Sequence, residues 1–97
     1  PPPPPPPPSA PNSVNVTSNQ FNPATVTIDR NEAVTWNFQT GPHNVTFEDG
    51  AGSSGDKSSG THQRTFSNAG TYRYQCTLHS VPGNFSSGMV GSVVVNP

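Results

Sequence analysis

The sequence predicts an all-β domain, an antiparallel sandwich of about seven short strands. Three observations predict it. Apolar and polar residues alternate with period two, and turn residues recur every 8 to 12 positions or so. The apolar residues are biased to Val, with ten Val against one Leu and one Ile, and branching at Cβ favours strands over helices. No window shows the i, i+3, i+4, i+7 apolar pattern of a helix.

Each strand has its own signal. Residues 13–19 alternate through Val14 and Val16, and 24–29 through Val26 and Ile28. Asp29, Arg30, Asn31 and Glu32 form a polar turn. In 33–38, Val34, Trp36 and Phe38 share one face; Thr40, Gly41 and Pro42 then break the strand. Residues 43–48 resume with Val45 and Phe47 on one face. Residues 49–60 are mostly Gly, Ser and Asp and read as a flexible surface loop. A strand over 61–66 and a turn over 67–70 follow. The strand over 71–76 sets Tyr72, Tyr74 and Cys76 on one face, and 89–95 closes the chain. The longest stretches without strand signal are 49–60 and 80–88, and loops of such length are often functional.

The chain has 97 residues, enough for one domain. Eight of its 13 prolines are the first eight residues. Residues 1–13 read as a Pro-rich linker and 14–97 as the folded domain. Eight prolines in a polyproline II helix extend about 25 Å, a stiff spacer that holds the domain off a surface, an anchor or a neighbouring domain. A ligand for a proline-recognition module is the other reading of that run. Something is expected to precede Pro1.

Charged residues make up only 9% of the chain and the net charge is −1. No basic stripe exists to neutralise phosphates, which argues against nucleic acid. No stretch approaches the roughly 20 apolar residues of a membrane span, so a membrane enters only through an anchor or domain before the Pro run. One cysteine excludes an internal disulfide framework. A Ser/Thr/Asn surface low in Lys suits an exported protein, periplasmic or extracellular.

Chemistry is concentrated in His, Cys and Met. His43 opens a strand after the Gly-Pro break; Cys76 ends one; His79 follows three residues later, across one tight turn; Met89 opens the last strand. All four can converge at one end of a sandwich. Two His and a Cys with a weak axial Met form the blue-copper arrangement. Singly, each residue has a plainer reading. Cys76 would be a small buried hydrophobe, Met89 core packing and His43 an exposed turn residue. His62 lies mid-strand and reads as a non-ligand, and Trp36 as core. The tripeptides at Asn15, Asn44 and Asn84 match the glycosylation pattern by chance in a chain rich in Asn, Ser and Thr.

The sequence resembles the small cupredoxins, of the plastocyanin and pseudoazurin kind, over roughly residues 14–95. The resemblance is carried by V-T-W at 34–36, P-H-N-V at 42–45, G-T-Y-x-Y-x-C at 70–76, C-x-x-H, and G-M-V-G before the last strand. It implies an eight-stranded Greek-key sandwich holding one type 1 copper on His43, Cys76, His79 and Met89. Asn44 then ties the His43 loop to the Cys76 loop, with Thr77 assisting from the other side. One departure stands out. The family places the axial Met five residues after the second His, whereas Met89 follows His79 by ten. The five extra residues are expected to bulge outward through 80–87 with the ligand retained.

The function implied is an electron carrier, not an enzyme. It meets redox proteins by transient contact and is a monomer. Its docking patch is Pro42, Val81, Pro82 and Phe85, beside His79. Copper sequestration or delivery would use the same ligands. A structural or adhesive sandwich on a Pro-rich stalk would leave the His, Cys and Met set unexplained.

Overall fold

Period-two alternation turns into strands nearly wherever it occurs. The structure, a computed structural model, describes residues 12–97, so the Pro run lies outside the described residues. Eight strands follow in order: β1 (Ser13–Thr17), β2 (Gln20–Asn22), β3 (Thr25–Asp29), β4 (Glu32–Phe38), β5 (Thr46–Phe47), β6 (Thr61–Phe66), β7 (Gly70–Gln75) and β8 (Val90–Asn96). No helix occurs among the described residues.

The strands form two four-stranded sheets, ordered β2-β1-β4-β6 and β3-β8-β7-β5. The first turns Val14, Val16, Phe21, Val34, Trp36 and Phe38 inward; the second turns Val26, Ile28, Tyr74, Val93 and Val95 to meet them. At the centre Trp36 stands edge-on to Tyr74 and Phe47, with ring centroids 5.3 and 5.6 Å apart. The open side between β5 and β6 is closed by Arg64. Its guanidinium lies 4.4 Å from the Phe47 ring centre and pairs with Asp49 at 2.8 Å. The Tyr72 hydroxyl donates to the Asn68 carbonyl at 2.7 Å, the corner bond that fixes the turn into β7.

Three features differ from the sequence reading. The sheets are mixed, not purely antiparallel: β1 runs parallel to β4, and β3 parallel to β8. Alternation reports which face a residue takes, not strand direction. The chain crosses to the other sheet at β3, which lets β4 return beside β1 in the same sense. Second, β2 is an additional strand, paired to β1 through a turn in which Asn19 takes φ 59°. Three residues are too few to show a period.

Third, the strand expected over 43–48 shrinks to β5, because the chain before it pairs with the 49–60 loop. His43 and Lys57 exchange backbone bonds of 2.9 and 2.7 Å. Val45 N–H donates to Ser54 Oγ at 2.8 Å, and Ser54 N–H to the Val45 carbonyl at 3.1 Å. The loop read as flexible is a strap pinned along the His43 arm.

Candidate metal centre

The site forms where β7 ends and β8 begins. His43 reaches it on the strap-bound arm after Gly41. There is no room for a larger residue at Gly41, since a Cβ would strike the Lys57 carbonyl oxygen and stand 2.6 Å from Ser58 Cα. Cys76 follows β7 on its core-facing side and is fully buried. A turn closed by His79 N–H to the Cys76 carbonyl at 3.2 Å swings His79 back over it. Met89 is brought alongside by two further backbone bonds: its N–H to the His79 carbonyl at 3.2 Å, and Cys76 N–H to its carbonyl at 2.9 Å. Met89 is 1% exposed.

Three donor atoms converge. His43 Nδ1 and His79 Nδ1 are 3.2 Å apart, and Cys76 Sγ lies 3.4 Å from His79 Nδ1 and 3.8 Å from His43 Nδ1. The circle through three points so spaced has a radius of about 2.0 Å, close to the roughly 2.0–2.3 Å bonds of metal to imidazole nitrogen and thiolate. With both imidazoles protonated on Nε2 and the thiol ionised, all three atoms offer lone pairs to one point, so the donor set fits a single soft or borderline metal ion. The far nitrogen of His43, Nε2, lies 3.2 Å from Thr40 Oγ1. A proton on Nε2, donated to that hydroxyl, leaves Nδ1 free to bind metal. Burial first, and then the charge of His79, hold the His43 pKa below its usual value, which favours the neutral ligating form.

Asn44 is buried behind His43 with every amide position used. Its Nδ2 donates to Thr77 Oγ1 at 2.9 Å and to Asp56 Oδ1 at 3.0 Å; its Oδ1 accepts from Thr77 N–H at 3.1 Å and Thr46 Oγ1 at 2.9 Å. It joins the His43 arm, the Cys76 turn and the strap. A glycan at Asn44 is incompatible with that burial. His62 is half-buried beside Trp36, with ring centroids 5.9 Å apart, and is not part of the donor set. Trp36 lies wholly in the core.

The 80–88 segment leaves and returns at the base fixed by the His79 and Met89 backbones. Val81 is 67% exposed, and Pro82 and Pro42 are exposed too. Phe85 is half-buried, with the Arg73 guanidinium 5.8 Å from its ring centre. Sequence reasoning missed Leu78, the other large apolar side chain left exposed among the described residues, at 47%. It also missed Gln75, which is 1% exposed and hydrogen-bonded into this segment, and Asp56 and Thr40 behind His43. Nothing in their spacing marks them, because each acquires its partner from a loop.

Comparison with known proteins finds relatives in sequence and in fold. Residues 10–96 match the family model for copper binding proteins of the plastocyanin/azurin family. The chain is 34% identical over 88 residues to the chloroplastic plastocyanin of Tetradesmus obliquus; the match takes in 77% of this chain and 57% of that protein, so the chain spans little more than half its relative's length. The structure is similar to an oxidised amicyanin variant, with TM-score 0.68 and 27% identity over 87% of this chain and 80% of that one. It is likewise similar to the Cu(I) form of another amicyanin variant, with TM-score 0.65, 30% identity and the same coverage. Pseudoazurin from Methylobacterium extorquens AM1 shares the fold, with TM-score 0.67 and 23% identity over 87% of this chain and 73% of that one.

Proposed function

Because the chain belongs to the plastocyanin/azurin family of copper-binding proteins, we propose that it is a type 1 copper protein that carries single electrons between redox partners. In this reading one copper is held by His43, Cys76 and His79, with Met89 as the weak axial ligand. The observation that carries it is the triangle of donor atoms, two imidazole nitrogens and one thiol sulfur within 3.8 Å of one another.

Copper bound there supplies one-electron chemistry between Cu(I) and Cu(II). The protein's part is to hold its donors still. Asn44 locks the His43 arm to the Cys76 turn, and the strap fixes the arm's backbone from the other side. A frame fixed in this way sets the same donor positions for both oxidation states, which keeps the reorganisation on electron transfer small. Cys76, fully buried, is shielded from solvent oxidants. His79 is the exposed member of the triangle and gives the site its contact with the surface. Four protein ligands leave no open position for a substrate, which supports a carrier in preference to an enzyme.

Partners would be redox proteins that dock briefly over His79. Leu78 and Val81 supply exposed apolar surface there, with Pro42 and Pro82, while Phe85 contributes less because it leans on Arg73. Contacts of this kind are small. A net charge of −1 gives little long-range steering, so docking should depend on this patch more than on salt. We further take 14–97 as the folding unit, a monomer exported to a periplasmic or extracellular compartment. The Pro run would be its spacer.

Sequestration or delivery of copper is the second reading. The burial of His43 and Cys76 favours retention over exchange. Voltammetry of the copper-loaded protein separates the two. The carrier reading expects a reversible one-electron wave, with copper retained when the protein is challenged by a Cu(I) chelator. Loss of copper on each reduction would support delivery instead.

A further inference from the structure

The segment that lengthens the ligand loop is gripped at Ser80, Val81, Gly83 and Asn84 by one side chain. Gln75 is the last residue of β7, and alternation points it away from the core, opposite to Tyr74 and Cys76. A polar residue there would ordinarily face water, yet Gln75 is 1% exposed. Its cover is the inserted segment, folded back over the outer face of the second sheet.

The amide of Gln75 is fully engaged. Nε2 donates to the carbonyls of Val81 at 3.0 Å and Asn84 at 2.9 Å, with Ser80 Oγ at 3.4 Å; Oε1 accepts from Gly83 N–H at 2.8 Å. The turn so gripped is closed on itself by Asn84 N–H to the Val81 carbonyl at 2.9 Å. Ser80, beside it, donates through Oγ to the Cys76 carbonyl. The return path is equally tight. Gly88 has φ 85°, and a Cβ there would stand 2.7 Å from Ser80 Cβ. A continuous polar network therefore runs from Gln75 through the insertion to the residues on either side of it, Cys76 and His79 before and Met89 after.

We propose that Gln75 is a positioning residue. It clamps the insertion to the sheet so that the turn leaving Cys76 and the return at Met89 keep fixed places, and so tunes the metal centre without touching the metal. The proposal rests on the copper reading above, but its structural half does not need copper. The plainer possibility is that the backbone bonds at the loop base hold the ligands unaided and that Gln75 only satisfies its own burial.

Three variants separate these. Gln75→Met keeps the length and removes the amide. Gln75→Glu keeps an acceptor for Gly83 N–H but cannot donate to the two carbonyls, and it carries the test if Gln75→Met does not fold. Val93→Ala is a control that weakens the core away from the loop, since Val93 is fully buried and pairs with Val26 and Tyr72. Amide hydrogen exchange is measured on the metal-free protein, and reduction potential on the copper-loaded one. Gln75→Met should speed exchange at Gly83, Asn84 and Met89 by about tenfold or more, the factor expected on losing one or two such bonds, and should shift the potential. Val93→Ala should leave the potential and the relative protection of those amides at wild-type values. If Gln75→Met matches Val93→Ala in both readouts, the proposal is overturned. A wild-type copper protein without a thiolate-to-copper band would remove the copper reading, while faster exchange in Gln75→Met would still establish the clamp.

Discussion

Burial lowers the pKa of two histidines, and this gives the fold a pH dependence. His43 is held below its usual pKa by burial and then by His79; His62 is held below its own by burial and then by Lys57 and Arg64. Between the lowered folded value and the ordinary value of about 6.5, the unfolded chain binds more protons than the folded one, so stability rises with pH across that window. The carboxylates do not mask this. Glu48 and Asp49 are held below their usual values by Arg73 and Arg64, so their contribution is lost only at more acid pH. The urea midpoint of the metal-free protein should therefore rise as pH approaches about 7 from the acid side and then level off. A midpoint that falls over that range would contradict the burial of these rings.

At this scale the sequence was most informative where residue type is scarce. With three His, one Cys and one Met in the whole chain, His43, Cys76, His79 and Met89 stood out, and His62 fell outside the pattern. Asn44 was legible because it adjoins a candidate ligand. Gln75, Asp56 and Thr40 were not, because each owes its role to a partner brought by a loop whose path no local pattern encodes.

The elements divide along the same line. Strands of five or more residues were readable; β2 was not, since three residues are too few to show a period, and β5 was read only as part of a longer strand over 43–48. The segment 49–60 looked slack by composition, yet its Ser and Asp side chains bond it to the His43 arm. Polar small residues signal a loop equally well whether it is free or strapped down. The last strand bears on the question that the insertion raises. Met89 directly precedes β8, whose register against β7 pairs Val90 with Gln75, and this holds Met89 beside Cys76 whatever the loop does further out. Met89→Leu is accordingly expected to keep the visible colour and raise the reduction potential, because an apolar group replaces a thioether that favours Cu(II). An unchanged potential would mean that Met89 does not act as the axial group.

Over the whole molecule, the sandwich is a frame that brings two distant parts of the chain to one end. His43 comes from the arm before β5, and the other three candidates from the link between β7 and β8. The frame itself was predictable from alternation and Val content, but strand direction was not; both parallel pairs arise from how the chain crosses between sheets. Rigidity at the site comes from outside the triangle, from Asn44, the strap and the clamped insertion. Few charges, and the exposed Leu78 and Val81 close to His79 in sequence, fit the proposed brief contacts with redox partners. All of this rests on the triangle being a copper site in which Cys76 supplies a thiolate. The most direct measurement is the visible absorption spectrum on titrating the full chain with Cu(II), beside the same titration of Cys76→Ser. The wild-type protein should develop an intense thiolate-to-copper band that saturates at one copper per chain, and the variant should fold without it. A colourless wild-type copper complex, or a band that survives in Cys76→Ser, would contradict the account.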